Sequence, residues 1–293
     1  MRMDKKTTRK KADIVTNDVF QSFIPVSMQA RAAKGQELIN ASQMQLPFWD
    51  ETTRRIPNEL VRSALFNARN RNRKRIYLRD ADIEVIGDGR IQYTGEELRQ
   101  FDEIVWLELI HLSRGQTAGK VIEFTPYSFC KAVQWPLNNN SYERLRESLT
   151  RMQATSLSVY SKRLKAGISL SMIPIFTWKD ENGKTLSKYK VTIAPQLIEL
   201  FGDTYFTQIE WQQRLSLSPG LATWLHGYFA SHRTPFPVKL ETLYKGSGST
   251  TKDLKDFKRQ TKEALEALFK VGFLKEFEID KAGLVHVIRA QYR

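Results

Sequence analysis

The chain has 293 residues, enough for about two domains with real cores, and its 41% hydrophobic and 27% charged content is that of a globular protein. A net charge of +14 points to a polyanionic partner, nucleic acid above all, because Lys and Arg that neutralise phosphates release condensed counterions. The single cysteine, Cys130, excludes an internal disulfide framework and a cysteine-built zinc site, and no apolar run reaches the ~18 residues of a membrane span.

In chain order, Arg2, Lys5, Lys6, Arg9, Lys10 and Lys11 crowd the N-terminus. Such a block repels itself and predicts a flexible basic segment over residues 1–54, either a solvated tail or an arm that tethers DNA. No apolar core follows the charges, so the segment is not a secretory signal, and a reducing cytoplasm is the expected compartment. Residues 36–45 carry a short helical pattern that ends before Pro47. From Pro57 the pattern turns globular. Pro57-Asn58-Glu59 opens a helix, residues 67–75 form a basic connector, and residues 83–86 and 90–93 pair as a hairpin through Gly87-Asp88-Gly89. Residues 96–112 form a long helix with Leu98, Phe101, Ile104, Val105, Leu107 and Leu109 on its buried side.

The order that follows is distinctive. Residues 121–124 are a short strand, and Thr125-Pro126 caps a helix to about residue 134. Residues 136–140 turn, and Ser141 begins a second helix to about residue 155. Strands at 157–160 and 168–176 then make a two-stranded wing. Helix, strand, helix, turn, helix and wing is the winged-helix plan. It recurs after the turn at 180–183: strand 191–193, helix 195–201, helix 218–231, short helix 239–244, turn 246–249, long helix 250–271, and a wing of strands 274–279 and 284–288. The expected fold class is α+β, with two tandem winged-helix domains at 55–185 and 186–293 behind the basic N-terminal segment.

DNA contacts are expected at the start of each long helix. In the first, Tyr142, Leu145, Leu149 and Met152 form the apolar stripe, which leaves Arg144 and Arg151 on the opposite face. Asn138, Asn139, Asn140 and Ser141 crowd its N-terminus, where free N–H groups suit phosphates, and Asn and Arg read adenine and guanine edges. The plainer alternative is an ordinary capped surface helix. In the second, Leu254, Phe257, Thr261, Ala264, Leu265 and Leu268 face inward. Lys252, Lys255 and Arg259 face out, and Ser249, Thr250 and Thr251 stand at the helix start. Lys162, Arg163, Lys165 and Lys281 are candidate wing contacts with the backbone.

No motif supports chemistry. Residues 115–121 resemble a phosphate-binding loop but are one residue short and lack the hydroxyl that holds magnesium. His111, His226, His232 and His286 lack metal-ligand spacing, and no acidic cluster suits a two-metal nuclease. Neither catalytic residues nor a cofactor or metal are expected.

Residues 228–237, Tyr-Phe-Ala-Ser-His-Arg-Thr-Pro-Phe-Pro, together with Arg62-Ser63-Ala64-Leu65-Phe66, Tyr93-Thr94-Gly95-Glu96-Glu97-Leu98-Arg99, Leu149-Thr150-Arg151-Met152-Gln153-Ala154-Thr155 and Leu217-Ser218-Pro219, resemble the TrfA-type replication initiators of broad-host-range plasmids. The resemblance runs from about residue 55 to the end. It implies an initiator without catalysis that binds directly repeated iterons at an origin, helps open AT-rich DNA and controls plasmid copy number. Its implied partners are double-stranded origin DNA, single-stranded AT-rich DNA, and the host initiator, replicative helicase and sliding clamp, with a monomer–dimer equilibrium and no membrane. By position, Asn138, Tyr142, Glu147 and Arg151 fall in the first recognition helix, and Gly246, Ser247, Ser249 and Thr250 in the turn before the second. Beyond Thr250 the second helix departs from the family pattern. The family's clamp-binding peptide corresponds here to Gln43, Leu46 and Phe48, or else that stretch is a linker whose Leu46, Phe48 and Trp49 pack on the first domain. A dimeric winged-helix repressor on a palindromic operator is the alternative function.

Overall fold

The computed structural model describes residues 46, 48–70, 72–161, 166–201 and 205–290. Gln43, the basic N-terminal segment and Lys162, Arg163 and Lys165 lie outside them. The elements are β1 (Thr53–Pro57), α1 (Asn58–Val61), β2 (Phe66–Asn67), β3 (Tyr77–Ile83), β4 (Arg90–Glu96), β5 (Leu98–Arg99) and α2 (Gln100–Ser113). There follow β6 (Val121–Phe124), α3 (Pro126–Ala132), α4 (Asn139–Gln153), β7 (Ser156–Ser161), β8 (Ala166–Leu170), β9 (Ile175–Lys179), β10 (Thr185–Thr192), α5 (Pro195–Glu199), β11 (Phe206–Glu210) and α6 (Trp211–Leu215). The chain ends with α7 (Leu221–Ala230), β12 (Val238–Lys239), α8 (Leu240–Gly246), α9 (Leu254–Lys270), β13 (Leu274–Ile279) and β14 (Leu284–Arg289).

Two winged-helix units emerge, and their sheets match. In the first unit the strand order is β6-β10-β9; in the second it is β12-β14-β13. Each is the strand before the helix-turn-helix, then the last strand, then the middle one. The helices correspond as well: α3 and α4 in the first unit, α8 and α9 in the second.

This pairing corrects the expected wing. Residues 168–176 are not one strand. β8 ends at Leu170, the chain crosses a buried corner at Met172 and Ile173, and β9 begins at Ile175 in another sheet. The wing of the first unit is therefore β9–β10. The hairpin β7–β8 instead pairs with β3–β4 into a separate four-stranded sheet ordered β3-β4-β7-β8. Both wing turns are built alike. Gly183 N donates to Asp180 O and Lys184 N to Asp180 Oδ1; Gly283 N donates to Asp280 O and Leu284 N to Asp280 Oδ1. Asp-X-X-Gly at 180–183 and 280–283 is thus a short repeat visible in the sequence itself, with glycine at φ +75° and +79°, where other side chains are strained.

The domain boundary also moves. β10 pairs with β6, and β11 pairs with β1 some 150 residues earlier, Arg55 facing Gln208. One core runs from Leu46 and Trp49 through Ile193, Leu197 and Ile209 to Trp211. The other begins at Leu217 and ends at Val287. Residues 186–215, expected to open the second domain, therefore complete the first.

Helix starts follow local chemistry. Asn138 Oδ1 accepts the Ser141 N–H at 3.0 Å, and Asp253 Oδ1 accepts the Asp256 N–H at 2.8 Å, each acting as an N-cap. The second recognition helix accordingly starts at Leu254 rather than Thr250. The long helix α2 starts at Gln100, where Asp102 accepts the Arg99 N–H at 2.8 Å.

The first core holds an acid-sensitive contact. Trp49 Nε1 donates to His111 Nδ1 at 3.1 Å, so the ring proton sits on Nε2 and donates to Glu51 Oε2 at 2.9 Å. Burial pulls the pKa of His111 down to about 4. An unfolded imidazole gains its proton near pH ~6.5, so between these values the unfolded chain binds the extra proton. Stability present above pH ~6.5 is lost as the pH falls through about 4. Urea unfolding at stepped pH is expected to show a flatter dependence in this window for His111→Gln than for the parent. An identical slope would remove His111 as the cause.

Candidate nucleic-acid interface

The first recognition helix, α4, is packed by Leu145, Leu149 and Met152, all fully buried. That fixes which side faces outward. Asn138, Asn139, Asn140, Arg144 and Glu147 are exposed there. Arg144 lies with its Cζ 5.1 Å from the ring of Phe101, which stacks on Trp135 at 4.1 Å. An aromatic shelf of this kind limits the guanidinium's freedom while its donors stay available. Ser141, in contrast, is buried and its N–H is taken by the cap, so only its Asn neighbours can meet a phosphate.

Arg151 does not belong to the outward face, contrary to the sequence expectation. Its Nη1 meets Asp102 Oδ1 at 2.8 Å and its Nε meets Glu96 Oε2 at 3.0 Å, with only 10% of the side chain exposed. Asp102 is fully buried and also receives Arg75 Nη1 at 2.9 Å and Ser148 Oγ at 2.7 Å. Arg151 therefore ties α4 to α2, and its guanidinium serves the fold. A lone charged residue at a helix's last turn gives no local sign of a partner 49 positions away.

In the second unit, α9 buries Phe257, Thr261, Ala264, Leu265 and Leu268. Lys252, Lys255 and Arg259 are exposed as expected, and Arg259 forms an exposed pair with Glu263 at 2.7 Å. Leu254, expected on the inward stripe, is partly exposed at the first turn. Thr250 is exposed, whereas Ser249 and Thr251 are half-buried and bonded to each other at 2.9 Å, with Thr251 Oγ1 donating to Gln260 Oε1 at 3.1 Å. Those two hydroxyls shape the turn, and Thr250 and Lys252 are what it presents.

Gly246 and Ser247 pack against the first unit. A Cβ at Gly246 would lie 2.3 Å from Ile86 Cδ1, and one at Gly248 would lie 2.9 Å from Asn67 Cβ at φ +60°. Ser247 is fully buried, and its carbonyl accepts the Ala68 N–H at 2.8 Å. Trp224 Nε1 donates to Ser63 O at 3.0 Å across the same junction. The two units are thus fastened directly, through the segment from α1 to residue 69. Two adjoining grooves that share Arg69 and Arg73 reach Arg144 and Glu147 of α4 on one side and Thr250 and Lys252 at the start of α9 on the other.

The wings supply further cations. On β9, the wing turn and β10 respectively, Lys179, Lys184 and Lys188 are exposed, and Arg146 of α4 lies 4.7 Å over the Trp178 ring, which holds that wing beside the helix. The strand expected at 191–193 in the second unit instead begins at Thr185 and completes the first wing, which is what brings Lys184 and Lys188 beside α4. Lys281 is exposed on the second wing turn.

Leu46 is 2% exposed and its carbonyl accepts the Gly115 N–H at 3.0 Å. It belongs to the first core together with Trp49, so it cannot enter a clamp pocket without leaving that core. Phe48 is exposed beside Arg114. Among the described residues no group of three His, Cys, Asp or Glu is placed to hold a metal. Burial of Cys130 raises its thiol pKa to about 11, as in an inert core thiol.

Residues 27–289 match the family model of the TrfA protein. A plasmid replication initiator protein TrfA of Escherichia coli is 33% identical over 287 residues, covering 96% of this chain and 74% of that one. A crystal structure of Pi initiator protein in complex with iteron DNA superposes with a TM-score of 0.55 at 14% identity, covering 83% of this chain and all of the other. Domains 2 and 3 of RctB give a TM-score of 0.55 at 12% identity, covering 81% of this chain and 99% of theirs.

Proposed function

The chain belongs to the TrfA protein family, and from that premise we propose that it is a plasmid replication initiator binding iteron DNA at its origin. The observation that carries this reading is that Arg144 of α4, and Thr250 and Lys252 at the start of α9, line two adjoining grooves that share Arg69 and Arg73, in two units joined by buried contacts. A block of that kind offers two major-groove readers at one spacing and one orientation. Copies bound to successive sites then face the same way, as direct repeats require. A repressor dimer would instead relate two copies by a two-fold axis and select a palindrome. The solved Pi complex, which shares the fold, contains iteron DNA and supports the same reading.

In this reading Asn139, Asn140 and Arg144 meet one groove, and Thr250, Lys252, Lys255 and Arg259 the other. Arg and Asn supply base contacts and Lys supplies phosphate contacts. Binding helps open adjacent AT-rich DNA and brings in the host initiator, replicative helicase and sliding clamp. The chain exchanges between monomer and dimer. Nothing in this role asks the chain to make or break a covalent bond.

Footprinting the purified chain on its own plasmid's origin at near-physiological salt tests the reading. Protection that repeats in one direction at helically phased intervals is the expected result. A single palindromic footprint at a promoter would replace the initiator with the repressor.

A further inference from the structure

The basic connector between β2 and β3 has an inner side and an outer side. Inside, Arg99 is 5% exposed and its guanidinium donates to the carbonyls of Asn70, Arg73 and Lys74 at 3.0, 2.9 and 3.3 Å while pairing with Glu97. Arg69 Nη1 meets the other oxygen of Glu97 at 2.6 Å, and its Nε donates to Gly248 O at 3.2 Å. Arg75 Nη1 donates to Asp102 at 2.9 Å. One arginine from β5 thus fixes the loop's course, and two of the loop's own arginines anchor it at either end. The carboxylates of Glu97 and Asp102 are occupied by these internal contacts.

Outside, Asn72, Arg73 and Lys74 are all exposed. Two grooves of about 690 and 570 Å³ flank the loop and share Arg69, Arg73, Pro219 and Gly220. The first is bounded by Arg144 and Glu147 of α4, the second by Thr250, Lys252 and Asp256 at the start of α9. The loop therefore stands between the two recognition elements and not beside either.

We propose that this loop is a third DNA-binding element, in which Arg73 and Lys74, assisted by Asn72, bind phosphates of the duplex segment between the two half-sites. The inference rests on the assignment of α4 and α9 as the DNA-reading helices. When two helices occupy successive major grooves of one duplex face, the intervening stretch presents a minor groove bordered by two rows of phosphates. The element facing it here is a loop held by the buried Arg99 and the half-buried Arg69 and Arg75. Its exposed cations bind without first ordering the backbone, which lowers the entropic cost of each contact. Glu147 and Asp256 are the carboxylates lining the grooves, and their repulsion of phosphate favours a path over the loop's crest.

The test compares the full chain with Arg73→Ala/Lys74→Ala and with a control, Lys270→Ala/Lys275→Ala, which removes the same charge at the end of α9 and on β13. Each is titrated against the plasmid's origin fragment and a random-sequence duplex of equal length across salt concentrations, followed by hydroxyl-radical footprinting. Loss of two phosphate contacts flattens the log–log salt slope by about 1.8. That flattening on both duplexes, with loss of protection between the half-sites and little change in the control, is the expected result. An unchanged slope and unchanged central protection in the loop variant overturn the inference even when the parent prefers its origin. A parent with no preference for origin over random duplex overturns the proposed function instead, and the random-duplex slope then decides the loop by itself.

Discussion

Replacing Arg214 by alanine is expected to destabilise the chain by about 3–5 kcal/mol and to lower the unfolding midpoint of both units together. Arg214 is fully buried. Its Nη2 meets the Glu103 carboxylate and Gln100 Oε1 on α2, the latter at 2.9 Å, and its Nη1 donates to the carbonyl of Thr223 on α7. One guanidinium thus joins the long helix of the first unit to the opening helix of the second. Burial pushes the Glu103 carboxyl above the usual carboxylate range, while Arg214 pulls it back down. Alanine leaves that carboxyl buried beside Gln100 without its cation, and an uncompensated buried charge is what makes such breaks costly. Urea unfolding followed by tryptophan fluorescence and circular dichroism reads the effect. Breaking the exposed Arg259–Glu263 pair with Arg259→Ala is expected to cost only about 0.3–0.5 kcal/mol. Equal effects of the two substitutions would disprove the junction's dependence on Arg214.

The second large effect is expected in binding. Lys252→Ala/Lys255→Ala removes two exposed cations at the start of α9 without touching its buried stripe. Each lost phosphate contact lowers the salt slope by about 0.9, so at 0.15 M salt the pair should weaken origin binding roughly thirtyfold. Circular dichroism should remain that of the parent, because the Asp253 cap and the core residues are unchanged. Weakening by less than about threefold, with an unchanged slope, would move the DNA away from the start of α9.

Much of the site's outline is legible in the residues. The stripe Leu145, Leu149, Met152 and the stripe from Phe257 to Leu268 identify two amphipathic helices, and the structure buries both. Once the buried side is known, the exposed positions of Arg144, Lys255 and Arg259 follow from a 3.6-residue period, while Lys252 stands just before its helix. Thr125-Pro126 marks a helix start because a hydroxyl there accepts an N–H that the helix leaves over, whereas α4, expected from Ser141, begins at Asn139 behind the Asn138 cap. Each of these features depends on neighbours within about four positions.

What sequence alone determined about this protein is therefore its local periodicity, its caps and turns, its positive charge and its family likeness. Only the tertiary structure decided which strands pair, where the first unit ends and which arginines remain available. β10 belongs to the first unit because β6 offers it hydrogen-bonding partners, and β1 claims β11 across the whole first unit. Arg151 looks like Arg144 in the sequence, yet a buried Asp102 takes one and an open aromatic shelf leaves the other exposed. The connector at 67–75 shows the same division. Its charge is plain in the sequence, but its position between α4 and α9 is set by Arg99 and by the turn at Ser247 and Gly248. Strand pairing and ion pairing are contacts between residues far apart in the chain, and local sequence carries no record of the partner.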